Sequence, residues 1–380
     1  MTHETLLNEL WSTTLSRLGG ASAIAALARE TKAFLRPRGI RSAEDLLRFV
    51  LAYSCGAMGL RSTCAWAAAA GLADISNVAL LGRLRNCSAW MERLVGALLA
   101  DGAAVPAAHE ALVSGRCVRL VDATTVTKAG VKARTSGQLW RIHAAFDLPS
   151  ERFSHFELTD EKGAEKLDTI PVVAGEICIA DRGYMRADRL AAVLAAGADI
   201  IVRAGWKQAR WLDAAGKPLD MIALLEKGSK TGRIDRAIGI ARSGGAPLNL
   251  RLVAFRKPPA AIAAARVKTR REATKEGLEV NGQTLKAAEW TILVTSLDAN
   301  AFSPDAIGTL YRARWRIEMA FKRMKSVIGL GSPPGADPQV AKTWVLAHLL
   351  LVLLLEPHTS HADVGAPEVS PRRGRVTLAA

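Results

Sequence analysis

The stretch from Arg116 to Arg203 constrains the fold most, because its hydrophobic period changes partway along. Cys117-Val-Arg-Leu-Val121 is a short β-prone run that ends in Asp122-Ala-Thr-Thr-Val. Leu139–Phe146 and Arg152–Leu158 follow with alternating apolar residues, and the turn-forming Asp147-Leu-Pro-Ser150 lies between them. These three runs predict an antiparallel meander. Glu176-Ile-Cys-Ile-Ala180 then ends in Asp181-Arg-Gly-Tyr184, a helix carries Leu190, Val193 and Leu194, and the chain passes Gly197 into the run Asp199–Arg203. A meander followed by strand, helix and strand predicts an α/β domain.

Asp122 and Asp181 each stand at the C-terminal end of an apolar run, where α/β sheets place functional side chains. An Asp in that place also serves as an ordinary turn or cap residue. A third acid comes from Tyr311–Lys325. On a helix at about 100° per residue, Tyr311, Arg314, Glu318 and Lys325 share one face. Ala313, Ile317, Ala320, Phe321, Met324 and Ile328 form a core-facing stripe, and Arg312, Arg316 and Arg323 fill the remaining side. Glu318 is the one acid of this helix. It either pairs with Arg314 and Lys322 across a turn or serves as a metal-binding carboxylate on a phosphate-binding surface.

The spacing Tyr311-x2-Arg314-x3-Glu318-x6-Lys325 matches the signature of bacterial insertion-sequence transposases of the DDE type. Asp122-Ala-Thr-Thr and Asp181-Arg-Gly-Tyr184 resemble that family's first and second acidic motifs. The resemblance implies a ribonuclease H-like catalytic core with a β-rich insertion domain and a helical N-terminal domain. It implies Asp122, Asp181 and Glu318 as catalytic acids and as ligands of two Mg²⁺ ions, with Mn²⁺ as a substitute. Tyr311, Arg314 and Lys325 become contacts to transposon-end phosphates, and Arg182 and Tyr184 belong to the second motif. Trp290 occupies the position of a base-stacking Trp used by some members; a buried Trp at a strand start is the plainer reading. The implied partners are double-stranded DNA, as transposon ends and target, and a second copy of the chain in a synaptic homodimer. Some members carry a longer helical C-terminal dimerisation region than the fold predicted here, which ends near Leu355.

The chemistry suits the residues. Breaking or joining a phosphodiester needs an activated oxygen nucleophile and a stabilised leaving oxygen, which two divalent ions about 4 Å apart supply. Mg²⁺ prefers carboxylate oxygens and water. Two further functions stay open: a ribonuclease H-like nuclease or resolvase, and a catalytically inactive DNA-binding regulator.

Charge agrees with a polyanionic partner. The chain carries 51 Lys and Arg against 36 Asp and Glu, a net +15. Arg203–Trp290 alone holds 18 basic against 8 acidic residues, with Arg266, Lys268, Arg270 and Arg271 as its densest cluster. That cluster is either a solvated face or a grip on the DNA backbone.

These shifts suggest five segments. Residues 1–100 form a helical DNA-binding domain, 101–203 the first part of the core, and 204–290 the basic insertion. Residues 291–356 return to the core, and 357–380 form a polar, disordered tail. Within the first, Thr63 and Ser76 are candidate caps of two helices around Gly71, the outline of a helix-turn-helix with Arg61, Arg83 and Arg85 as phosphate contacts. Five cysteines, an odd number without C-x2-C spacing, give no sign of a disulfide framework or zinc site. The apolar run Val345–Leu355 is too short for a bilayer and reads as buried around His348, within a core helix Gln339–Leu355 that closes the fold. A cytoplasmic, nucleoid-associated protein without membrane attachment is expected.

Overall fold

The computed structural model describes residues 11–56, 58–103, 113–127, 139–160, 163, 165–335 and 337–359. Within them the strands are β1 (Val118–Thr127), β2 (Leu139–Asp147), β3 (Arg152–Thr159), β4 (Ile177–Ala180), β5 (Asp199–Ala204), β6 (Trp211–Leu212), β7 (Arg233–Ile240), β8 (Leu248–Arg256) and β9 (Trp290–Thr295). All belong to one mixed sheet in the order β3-β2-β1-β4-β5-β9-β8-β7-β6. The meander β1–β3 is antiparallel, β4 and β5 run parallel to β1, and β9 is antiparallel to β5. The helix Ala187–Ala195 makes the β4–β5 crossover.

The two faces of the sheet bury alternate residues. Leu120, Ile177, Ile179, Ile201, Val253 and Leu293 join a core with the N-terminal helices and the helix Pro338–Thr359. Val121, Cys178, Ala180, Ile200, Val202, Leu252 and Val294 join a second core with Ala187–Ala195 and Met221–Gly228. Covered on both faces, β4 is apolar throughout, as central parallel strands are.

Four expectations change in the fold. First, β1 does not end at Asp122. It continues to Thr127 because β2 pairs with it over its full length, whereas its parallel partner β4 stops at Ala180. Second, the segment 204–290 forms no separate sheet. β6, β7 and β8 extend the main one, with β8 hydrogen-bonded to β9. Its basic cluster lies on a helix, Pro259–Lys275, that buries no residue.

Third, the N-terminal helices share a core with the C-terminal one instead of standing apart. Thr343 Oγ1 donates to Leu84 O at 2.9 Å, and Arg17 Nη2 donates to Leu353 O at 3.1 Å. Arg83 donates to the carbonyls of Arg36 and Arg38 at 3.1 and 3.2 Å, and Arg85 pairs with Asp337 at 2.6 Å. Two of the three expected phosphate contacts are therefore engaged within the chain. The helix pair itself is present, as Leu60–Ala69 and Asn77–Arg85. Gly71, at φ +64°, takes the left-handed turn between them, and Ser76 Oγ caps the second by accepting from Ala79 N at 3.2 Å. Thr63 is no cap; it is buried one turn into the first helix and bonds Gly59 O at 3.0 Å.

Fourth, the C-terminal core helix outruns Gln339–Leu355 and spans Pro338–Thr359. Pro338–Glu356 is long and apolar enough to cross a membrane by composition, yet most of it is buried inside this fold. His348 sits in that core, with Nδ1 2.8 Å from Trp344 O. The expected tail lies mostly outside the described residues. All five cysteines are free thiols.

Within the basic cluster, Arg266 differs from its neighbours. The carboxylate of Glu289, buried just before β9, takes Arg256 Nη2 at 3.0 Å on one oxygen and Arg266 Nη2 on the other. Arg266 thereby pins its helix to the sheet. Lys268 lies exposed near Glu272, and the guanidiniums of Arg270 and Arg271 make no ion pair among the described residues. Removing Arg266 leaves one oxygen of the buried Glu289 carboxylate without its donor, while Arg256 keeps the other. Arg266→Ala is expected to cost about 1–3 kcal/mol in urea unfolding, whereas Arg270→Ala and Arg271→Ala leave stability within about 0.5 kcal/mol. Equal effects from all three would contradict this division of roles.

Candidate active site

Strand register brings the first two acids together. β1 and β4 pair in parallel as far as Val121 opposite Ala180, so the next residues, Asp122 and Asp181, leave that pairing side by side. β4 and β5 pair as far as Ala180 opposite Val202, which sets Arg203 beside Asp181. Arg203 Nη1 lies 3.9 Å from Asp181 Oδ1. Asp181 also leads into the short 3₁₀ turn Arg182–Tyr184.

The third acid arrives on a helix that is broken where the sequence suggested continuity. Pro304–Ala313 and Trp315–Ser326 are separate helices, and Arg314 is the joint, last cap of one and first of the next. Its backbone stays in the right-handed helical region, at φ −52° and ψ −26°, so the face shared by Tyr311, Arg314 and Glu318 survives the break. Ile317, Phe321 and Met324 are buried on the core side, as the apolar stripe requires. Trp315, at the start of the second helix, is 57% exposed.

Around the joint the polar groups form one network. Arg314 Nη1 is 3.4 Å from Asp122 Oδ2, and Arg314 Nη2 donates to Glu318 Oε1 at 2.5 Å. Tyr311 Oη donates to Asp181 Oδ1 at 3.3 Å, while its ring lies 5.7 Å below the Arg314 guanidinium. Asp122 Oδ1 accepts from Ala123 N at 2.8 Å. Of the two readings of Glu318, the geometry shows the pairing with Arg314 across a turn, and that same Arg lies against Asp122.

Electrostatics follow from burial. Desolvation pushes Asp122 up to about 6; the nearby charges of Asp181 and Glu318 add to this, against the opposing Ala123 amide and Arg314. Tyr311 is pushed up to about 12, chiefly by burial and then by Asp181, so its hydroxyl remains a donor across the neutral range. Burial would lower Arg314, but Tyr311, Glu318 and Asp181 hold it above the ordinary arginine range.

The remaining expected residues lie farther out. Arg182 is exposed, and its carbonyl accepts from Gln208 Nε2 at 3.0 Å. Lys325 is exposed about two turns beyond Glu318 and makes no ion pair among the described residues. Arg270 and Arg271 are on the Pro259–Lys275 helix, away from this network of bonds. Trp290 is 4% exposed and packs beside Gly228 and Ile234, so it offers no open stacking face.

The stretch that holds this network is the one matched by a protein-family model described as the transposase DDE domain, over residues 113–354. The chain is also 39% identical, over 352 residues, to the putative transposase InsL of insertion sequence element IS186A from Escherichia coli K12. It is 38% identical, over 353 residues, to the transposase of insertion sequence element IS421 from Escherichia coli. Each match spans 91% of this chain and 93% of the relative. The chain belongs to the DDE-domain transposases.

Two neighbours of the acids in this transposase were missed in the sequence. Arg203 stands one residue before the end of β5, beside Asp181, a place that only strand register reveals. The side chain of Glu165 lies against the backbone of Gly183, where any Cβ would overlap its carboxylate. A side chain at position 183 would have to displace that carboxylate, the free end of a flexible Glu. Tyr184 beside it is buried, with a hydroxyl that lacks a hydrogen-bond partner. Burial, followed by the charges of Asp122 and Glu165, raises its phenol above the ordinary range.

The Asp122 site is strained electrostatically, and stability measures that strain. Its folded-state pKa of about 6 exceeds the ordinary 3.8. The ionised carboxylate therefore destabilises the fold in full above pH 6, and the penalty fades as pH falls through this window toward 4. Asp122→Asn is expected to be about 1–2 kcal/mol more stable than the wild type in urea at neutral pH, with no advantage near pH 4. An advantage independent of pH would overturn the assignment.

Proposed function

We propose that this transposase moves DNA by cut and paste, cleaving at the terminal inverted repeats of its insertion sequence and joining the freed end to target DNA. Asp122, Asp181 and Glu318 are its catalytic acids, in a ribonuclease H-like core built on β1–β5. The observation that supports this reading is that strand register sets Asp122 beside Asp181 while one guanidinium spans Asp122 and Glu318.

The donor set fits divalent metal. Three carboxylates offer hard oxygen ligands of the kind Mg²⁺ prefers. The mutual influence of Asp122 with Asp181 and Glu318 is like-charge crowding of the sort a cation relieves. Among the described residues no three His, Cys, Asp or Glu side chains are already gathered as a metal cluster. Asp122, Asp181 and Glu318 would hold two Mg²⁺ ions, with Mn²⁺ able to substitute. When bound, such ions supply Lewis acidity toward the attacking and leaving oxygens of the phosphodiester.

The chain's own groups position the substrate. Tyr311 orients Asp181 through its hydroxyl, and Arg203 balances the charge of that carboxylate. Lys325, on the helix of Glu318, reaches a backbone phosphate of the element's end, and Arg182, exposed next to Asp181, is a further DNA contact. Arg270 and Arg271, exposed on their helix, grip the backbone of DNA farther from the break. A homodimer pairing the two ends completes the reading.

A plasmid carrying the element's ends, incubated with the protein and Mg²⁺, tests the reading. Joining of ends to target supports it, whereas nicking without joining marks a nuclease and a mobility shift without cutting marks a regulator. Glu318→Gln is expected to abolish cleavage while retaining end binding in a shift assay. Loss of binding with the chemistry intact would remove Glu318 from the catalytic acids. Lys325→Ala should weaken end binding and reduce its salt slope by about one unit; an unchanged slope excludes that phosphate contact.

A further inference from the structure

We propose that Arg314 is a latch on the acidic site: its guanidinium takes the place of a cation between Asp122 and Glu318 until a DNA phosphate draws it away. The proposal rests on Asp122 and Glu318 being metal ligands. It adds that the free enzyme is held closed to metal and that contact with DNA opens it.

The geometry carries the argument. A single guanidinium spans both carboxylates, with Nη1 3.4 Å from Asp122 Oδ2 and Nη2 2.5 Å from Glu318 Oε1. The other oxygen of Asp122 is already occupied by Ala123 N at 2.8 Å. The Arg314 side chain is only 13% exposed, so its charge lies within the site and is poorly screened. A divalent ion entering between the same two carboxylates would meet that positive charge at close range. Ion and guanidinium are alternatives for one place.

Arg314 is also arranged to leave. Its Nε is buried without any hydrogen-bond partner, so the planar fork has a donor that neither carboxylate satisfies. A phosphate, with several acceptor oxygens in a geometry suited to the fork, satisfies that donor better than the present contacts do. The residue is the joint between the helices Pro304–Ala313 and Trp315–Ser326, where a small backbone rotation swings the side chain without unwinding either helix. Tyr311 beneath the guanidinium remains tied to Asp181, so withdrawal of Arg314 uncovers the acids while Asp181 stays in place. Such a device couples cleavage chemistry to capture of DNA, because the acids take up metal only once a phosphate holds Arg314.

The test is Mn²⁺ binding by the full chain, read from the free-ion electron paramagnetic resonance signal with and without a double-stranded DNA oligomer. Mn²⁺ held by the oligomer alone is subtracted. Arg314→Gln is expected to bind Mn²⁺ about tenfold more tightly than the wild type without DNA, a coupling of ordinary size. DNA should tighten binding by the wild type to a similar extent and by Arg314→Gln far less. Arg314→Lys, which keeps the charge and loses the fork, should fall between them. A folded Arg314→Gln that binds no more tightly than the wild type overturns the latch. So does DNA-driven tightening of equal size in both proteins. If Arg314→Gln does not fold, the wild type and Arg314→Lys decide, and absence of a DNA effect in the wild type is the negative result. Combining Asp122→Asn with Arg314→Gln tests the underlying reading: abolished Mn²⁺ binding supports Asp122 as a ligand, and undiminished binding removes that reading and the latch with it.

Discussion

The register between β1 and β4 governs the acidic site. Both strands are buried, and a one-residue slip would turn Leu120 and Val121 to the wrong faces. The hydrophobic cores therefore fix the pairing of Val121 with Ala180, and that pairing sets Asp122 beside Asp181. The same rule along β4 and β5 delivers Arg203. Packing alone brings an acid and its neighbours to one end of the parallel strands, where the chain leaves the sheet and polar groups regain access to solvent.

Around that point the protein gathers charge that opposes its own stability. Asp122 is pushed toward neutrality by burial and by two neighbouring acids. Arg314 and Tyr311 answer this with one ion-pair fork and one hydroxyl. A site so arranged is poised for more positive charge, and a strained cluster of this kind is what a fold retains for function. The Arg314 joint shows how local the adjustment is: a helix break of one residue leaves the apolar stripe in its core while bringing a guanidinium onto two carboxylates.

Much of this was legible in the sequence. The meander, the β4–β5 crossover and the C-terminal core helix follow from period and turn residues, because apolar alternation reports burial directly. The Tyr311–Lys325 face was legible because helical spacing is local. Other features depended on partners that a local pattern does not name. β1 runs past Asp122 because β2 accompanies it, and β6–β8 join the main sheet because β9, distant in sequence, offers its edge to β8. Arg266 looked like Arg270 and Arg271 in a basic run, yet a buried carboxylate just before β9 claims it alone. Trp290 marked a strand start, but its burial was settled by Gly228 and Ile234 from other elements.

By itself, the sequence determined which segments become strands and helices, where acids and basic clusters stand along them, and the family to which the pattern belongs. Propensity, period and spacing act over a few residues, so they need no knowledge of the rest of the chain. The tertiary structure decided which charges meet. Arg203 beside Asp181 and Arg314 between Asp122 and Glu318 are products of strand register and of helices packed across a sheet. Electrostatic interactions act through space, and only folding sets the distances on which they depend.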